Sequence, residues 1–468
     1  MSSETKESFL DIGHQVIKYA NTKDIDATEV FFHQRKAIQV LTEGQSIATE
    51  RLTSESGFAI RVLNKDVEGF SYTNKTDIKA LESCVDEAVN IARVVPPTPG
   101  IRFTVPTDYP QITGRYTTSI ADLTSEELID NAKMVLHPLK EAKVSVRTNL
   151  SQIAVHEEAY GIINSLGVEG YSRSNCIKGL FLAVAREGDK VGSFVFDDFF
   201  AHESNQINFS EFGESLTTKA MQNLAAKTPP TIDSDVVVFS KNGVFEPLLY
   251  VIAHSIRADS VDQKRSMWMD HLADSVAVET FTLIDDSHNP SAGGGCRAFD
   301  DEGNPTCKTS IIKKGILETF LFDELRANKM ETQSTGNSWR GLGGIKFLQP
   351  PSEIFPNAPV ILPGDMETEE FYEDIKLGIQ FEYFSGSVRP ENGIFSGVAK
   401  GAQLIRNGEL AEPLINVSIG GNIFDCLTNI TGLSKETELT GGGFILAGGV
   451  SLTTPLIKTH GIKITTQK

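Results

Sequence analysis

The chain has 468 residues with 43 Lys and Arg against 62 Asp and Glu, a formal net charge of −19. That length suits two or three domains at about 150 residues each. Forty per cent hydrophobic and 22% charged residues are ordinary globular values and exclude a disordered chain. The negative balance excludes nonspecific attraction to nucleic acid or to an anionic membrane. Cys84, Cys176, Cys296, Cys307 and Cys426 are scattered, with no C-x-x-C pair, so they read as reduced thiols in a reducing compartment. The opening MSSETKESFLDIGHQ lacks the basic start and apolar run of a signal peptide. The nearest thing to a membrane span, 441–457, is broken by glycines, threonines and a proline and reads as strands and turns. A soluble, cytoplasmic protein is expected.

In chain order, Phe9, Leu10, Ile12, Val16, Ile17 and Ala20 follow a 3.6 period and predict an amphipathic helix over 5–21. Strand-like runs at 29–32, 37–41, 57–62 and 69–72, separated by turns such as Asn64-Lys65-Asp66, predict an antiparallel meander. Ile78, Leu81, Val85, Ala88, Val89 and Ala92 form the stripe of a second helix, which the prolines at 96, 97 and 99 must end. Thr124 with Glu127 is a capping pattern for a third helix to about Lys140. Strands are expected at 143–148, 151–155, 161–164 and 176–186, then a helix over about 212–226. The polar, proline-bearing 227–231 is the expected boundary, giving an α+β domain over 1–227 and a mainly β domain over 228–468. The fold class is therefore α+β. The second part carries one helical stretch, 245–257, and glycine-rich strand-like runs at 277–284, 309–312, 319–322, 399–405 and 444–446. Neither 264–275 nor 328–349 can be assigned, and there is no repeat of fixed period.

Few patterns carry chemistry. There is no H-E-x-x-H, no phosphate-binding glycine loop and no nucleophile elbow. His254 ends an apolar helical run, where a histidine is ordinarily a core or cap residue. The cluster Asp300-Asp301-Glu302 could hold a metal or share a proton, or could serve as turn residues bonding nearby backbone N–H groups. Ser334, Thr335, Gly336 and Asn337, and Asn392, Gly393 and Ser396, form polar loops whose glycines permit either close backbone approach or simply a positive φ.

Taken together, the segments 57–61, 69–74, 283–286, 299–306, 311–321, 334–337, 392–396 and 405–409, in this order, resemble the TldD/PmbA family. The resemblance implies a cytosolic zinc metalloprotease built from two kinds of subunit and associated with leader-peptide removal and trimming of unstructured polypeptides. An older label for the family is modulator of DNA gyrase. TldD-type subunits carry H-E-x-x-x-H and a cysteine near the C-terminus, whereas TldE (PmbA) subunits lack them. Here the motif falls on His254, Ser255 and Asp259, and no cysteine follows Cys426. Asp can ligate zinc, but Ser255 cannot act as the general base the glutamate would supply. The chain thus resembles the TldE type, with no catalytic or metal residues and no cofactor of its own expected. Zinc would reside in a TldD-type partner, within a hetero-oligomer or alongside a homodimer, and an extended peptide would be the substrate. Asp300, Asp301, Glu302, Ser334, Thr335, Gly336, Asn337, Asn392, Gly393 and Ser396 are the candidates to line the peptide chamber. Alternatives are a hydrolase in its own right, using His254 and Asp259 with Asp300 or Glu302 around a divalent metal, and a noncatalytic peptide-binding module.

Overall fold

The computed structural model describes residues 3–229, 231–342, 344–440 and 450–466. Its first half is one antiparallel sheet with helices on one face. Helix α1 (Ser3–Ala20) leads into β1 (Ala27–Gly44) and β2 (Ser46–Asn64), strands of 18 and 19 residues, then β3 (Val67–Thr73) and α2 (Ile78–Ala92). A short turn of helix, α3 (Thr118–Ala121), precedes α4 (Ser125–Glu141). There follow β4 (Ser145–Asn164), β5 (Glu169–Glu187), β6 (Lys190–Val191), β7 (Val195–Ala201) and α5 (Phe209–Leu224). The strand order is β3-β2-β1-β4-β5-β6, with β7 also paired to β5.

The helices form where the apolar spacing and caps place them. Asp77 accepts from the Ala80 amide at 3.0 Å, and the Thr124–Glu127 capping box is complete. Both spare the first turn its orphan donors. The strands are longer than the sequence reading. The expected runs 29–32 and 37–41 are one strand, because β1 has β2 and β4 on either side and neighbours on both edges satisfy its backbone through the polar stretch between. Likewise 143–148, 151–155 and 161–164 belong to β4, interrupted only by a register shift around Leu150, whose φ is +49°. Helices α1 and α2 pack over one end of the sheet, against Phe32, Phe58 and Ile60. Helices α4 and α5 cover the other end, against Val40, Ile153 and Ile177.

The second half is mainly β. A ten-stranded mixed sheet and a four-stranded sheet of Tyr383–Arg389, Ile394–Lys400, Val417–Asn422 and Lys463–Thr466 share one hydrophobic core. Phe239 and Phe381 come to it from the first sheet and Phe395 and Ile419 from the second. Of the expected run 277–284 only the end is strand (Leu283–Asp286), and 319–322 contributes no strand beyond an isolated bridge at Leu321. The stretch 245–257 is not one helix: it is broken at Glu246, and again at Arg257, after helix Tyr250–Ser255. Segment 328–349 holds the end of helix Glu324–Lys329 and a short strand at Ser338–Trp339. The expected strand at 444–446 lies outside the described residues. Among the described residues no helix is long and apolar enough to cross a membrane.

Candidate functional site

His254 and Asp259 are five residues apart, which on a straight helix would set them about 140° from one another. The chain instead breaks between them. Arg257 is extended (φ −78°, ψ 127°), and the break is pinned where the Leu321 amide donates to the Ile256 carbonyl at 2.8 Å and the Ala258 amide to the Leu321 carbonyl at 3.0 Å. His254 is half-buried, with Nε2 3.2 Å from the Arg265 carbonyl. Burial lowers its pKa, opposed by that carbonyl and by the nearby Glu391 charge. Ser255 is buried and donates to the Val251 carbonyl at 3.0 Å, one turn back along its own helix.

Asp259 is claimed as well. Arg257 donates from Nε and Nη2 to its two oxygens at 2.9 and 2.7 Å. Burial alone would raise this carboxyl, but the bidentate guanidinium outweighs it and the pKa lies below the ordinary value. One half-buried imidazole, a hydroxyl bonded to backbone and a carboxylate held by arginine do not fit a tetrahedral zinc ion. Among the described residues no group of three or more His, Cys, Asp or Glu side chains is arranged to hold a metal.

The acidic loop lies elsewhere and is buried. Asp300 Oδ1 accepts from the amides of Glu302 and Asn304 at 3.0 and 2.9 Å, and Oδ2 from the Ser338 amide at 3.0 Å. Burial pushes its pKa up to about 7 against those donors. Glu302 accepts from the Glu324 amide at 2.9 Å; burial, with Asp323 and Asp300 nearby, raises its pKa well above the usual range. Asp301 differs. Arg297 Nη1 and Lys346 Nζ each donate to it at 3.0 Å, and the Arg340 amide at 2.8 Å. Burial would raise this carboxyl, but the two cations outweigh it and hold it down.

Asn337 is drawn into the same region, donating to Asp285 at 2.7 Å. Ser334 and Thr335 bond the Phe322 carbonyl. Asn392 is exposed and Gly393 buried on a separate turn whose Glu391 reaches the electrostatic neighbourhood of His254, while Ser396, expected in the same loop, is an exposed residue of the strand Ile394–Lys400, paired on both sides. The ten chamber candidates therefore fall into two places. Asp300 and Asp301 spend both carboxylate oxygens on the protein's own groups, while Asn337 uses its amide nitrogen on Asp285 and the Phe355 carbonyl and leaves Oδ1 buried without a partner among the described residues.

The sequence reading missed what this cluster joins. Arg340, fully buried, forms an ion pair with Glu29 of β1. Glu29 also receives Arg61 of β2 at 3.1 Å, and Arg61 reaches Glu68 at 2.6 Å. Phe31, Tyr160 and Phe299 pack alongside, and the Tyr160 hydroxyl donates to the Phe299 carbonyl. Only the burial of Glu29 and Arg61 within otherwise apolar strand runs could have signalled it.

Residues 234–466 match the model of the PmbA/TldA metallopeptidase C-terminal domain, and residues 28–92 that of PmbA/TldA metallopeptidase domain 1. The chain belongs to the TldD/PmbA family. Among its TldD/PmbA relatives, a metalloprotease of Methanocaldococcus jannaschii is 28% identical over 410 residues, covering 83% of this chain and 85% of its own. A metalloprotease PmbA homologue of Buchnera aphidicola is 24% identical over 432 residues, covering 89% and 90%. The fold is that of the crystal structure of TldE from Thermococcus kodakarensis, with a TM-score of 0.87 at 20% identity over 97% of this chain and 100% of that one.

Proposed function

We propose that this member of the TldD/PmbA family is a noncatalytic, TldE-like subunit that pairs with a zinc-bearing TldD-type protease and helps it hold extended peptides in the cytoplasm. The observation that carries the reading is the Arg257–Asp259 fork beside Ser255. The position of the second zinc ligand is neutralised by a cation, and the position of the general base is a hydroxyl donating to backbone. Without a base beside a metal-bound water, hydrolysis has no activated nucleophile. The exposed turn of Asn392, next to His254 in the charge field, with exposed Ser396 on the strand it opens, is the part of the candidate set best placed to meet a peptide.

The test is co-purification with a TldD-type subunit carrying intact H-E-x-x-x-H, followed by peptide cleavage by each chain and by the mixture, with zinc measured on each. The expected result is cleavage by the mixture, none by this chain alone, and zinc only in the partner. Chelator-sensitive cleavage by the lone chain would instead establish it as a metallopeptidase in its own right, as its Methanocaldococcus relative is named.

A further inference from the structure

β2 is 19 residues long, but β3 pairs only with its last part, Phe58 opposite Thr73 through Asn64 opposite Val67. Among the described residues no strand pairs with the outer edge of 46–57. At roughly 3.4 Å per residue this leaves about 40 Å of sheet edge with unpaired backbone groups. Soluble proteins commonly blunt such an edge with proline or a bulge. This stretch, SIATERLTSESG, has no proline; its pairing with β1 shifts register once, between Ile47 and Thr49, and from Thr49 to Gly57 runs without a bulge. It also carries an exposed apolar residue, Leu52, at 69% relative exposure.

Beside Leu52 the helix-bearing face of the sheet is uncovered. Between the α1–α2 and α4–α5 layers lies a groove of about 310 Å³, open to solvent and lined by Ile38, Leu52, Ile120 and Val155, with Lys36 at its rim. Edge and groove are adjacent. A strand laid on the edge would receive main-chain hydrogen bonds, and its alternate side chains would rise on the groove side.

We infer that the free edge of β2 at 46–57, with the groove beside Leu52, is a docking site for an extended polypeptide carrying apolar residues at every second position. A second copy of the chain is the weaker occupant. A dozen residues a side falls short of the 20–30 that a stable dimer commits, and two chains of charge −19 repel. The same charge favours a peptide with basic residues between the apolar ones. The inference rests on the peptide-handling role proposed above for its purpose, while its geometry stands without it.

The probe is a fluorescein-labelled ten-residue peptide of alternating Lys and Val, titrated into the isolated full chain by fluorescence anisotropy. Two further versions carry N-methyl groups on one or the other alternate set of peptide nitrogens, with the charge unchanged. Only one set of amides can face the sheet, so one version should lose about tenfold or more in affinity while the other binds like the parent. Leu52→Glu should lose about tenfold while melting like wild type, and hydrogen exchange should slow at 46–57 when the peptide is bound. The inference is overturned by no saturable binding up to about 1 mM peptide, by equal binding of both N-methyl versions, by protection located elsewhere, or by indifference to Leu52→Glu. Sedimentation showing a dimer that Leu52→Glu dissociates would give the edge to a second copy and equally overturn it. No protease is present in these measurements, so their failure leaves the subunit reading standing, and a failed cleavage assay leaves the edge standing.

Discussion

Arg257 grips both oxygens of Asp259, at 2.9 and 2.7 Å, across the break that separates helix Tyr250–Ser255 from helix Ala258–Asp262. A metal ion would have to displace that guanidinium from a largely buried carboxylate, and would then find only His254 as a further donor of the motif. Zinc bound by the purified chain should therefore equal that of a His254→Ala variant by metal analysis. Ser255→Glu alone should restore no cleavage, since a base without a metal-bound water has nothing to activate. One zinc per chain, lost on His254→Ala, would sink the noncatalytic reading.

Glycines in the two candidate loops are required for packing. Gly336 has φ +71°, and a Cβ there would lie 2.5 Å from the Pro305 carbonyl oxygen; Gly393 has φ +74°, and a Cβ would lie 2.6 Å from the Phe424 ring. Alanine at either should cost about 1 kcal/mol or more of stability, read by denaturant unfolding. Ser396→Ala, on an exposed neighbour, should leave stability unchanged. Reduced cleavage by the mixed complex with Ser396→Ala thus reports peptide contact, whereas the glycine variants report folding.

What was legible in the sequence was local. The stripe of α2 and the capping box of α4 depend on residues three or four apart, and the turn role of Asp300 on amides two and four residues on. What escaped was long-range. The bond between Arg340 and Glu29 spans 311 positions, and the polar middle of β1 becomes strand because β2 and β4 flank it. The motif position was located by resemblance, but that Asp259 is occupied by an arginine two residues away depends on the extended backbone of Arg257, which no periodicity reveals.

The Glu29–Arg340 pair and the Phe31–Tyr160–Phe299 packing link the first half to the second. Removing the guanidinium leaves a buried carboxylate with Arg61 as its remaining close cation. Arg340→Met should cost about 3 kcal/mol in chemical denaturation. If the division at 227/228 marks two independent units, the variant should unfold in two separated steps. If the buried cluster makes one cooperative unit, a single transition should shift as a whole, and the piece 228–468 expressed alone should expose Phe299 and aggregate.

The last expectation concerns pH. Glu302 is buried with Asp323 and Asp300 as like-charged neighbours and Arg61 as the opposing cation, and its carboxyl is raised well above the usual range; Asp300 is raised to about 7. A raised carboxyl means that the folded chain keeps a proton the unfolded chain has lost, so stability falls as pH climbs from the ordinary carboxylate range through the folded pKa. The slope reaches about 1.4 kcal/mol per pH unit for each proton retained. Buried His202 and half-buried His156 and His254, all lowered, act oppositely near their ordinary pKa, so wild type alone does not isolate the effect. Glu302→Gln does, because the amide keeps an oxygen to accept from the Glu324 amide, now 2.9 Å from Glu302, while removing one titrating group and leaving the histidines. Measured by denaturant unfolding between about pH 5 and pH 8, the stability of Glu302→Gln relative to wild type should rise steadily with pH. A difference that stays flat would mean that Arg61 keeps Glu302 ionised throughout, and the raised pKa would be wrong.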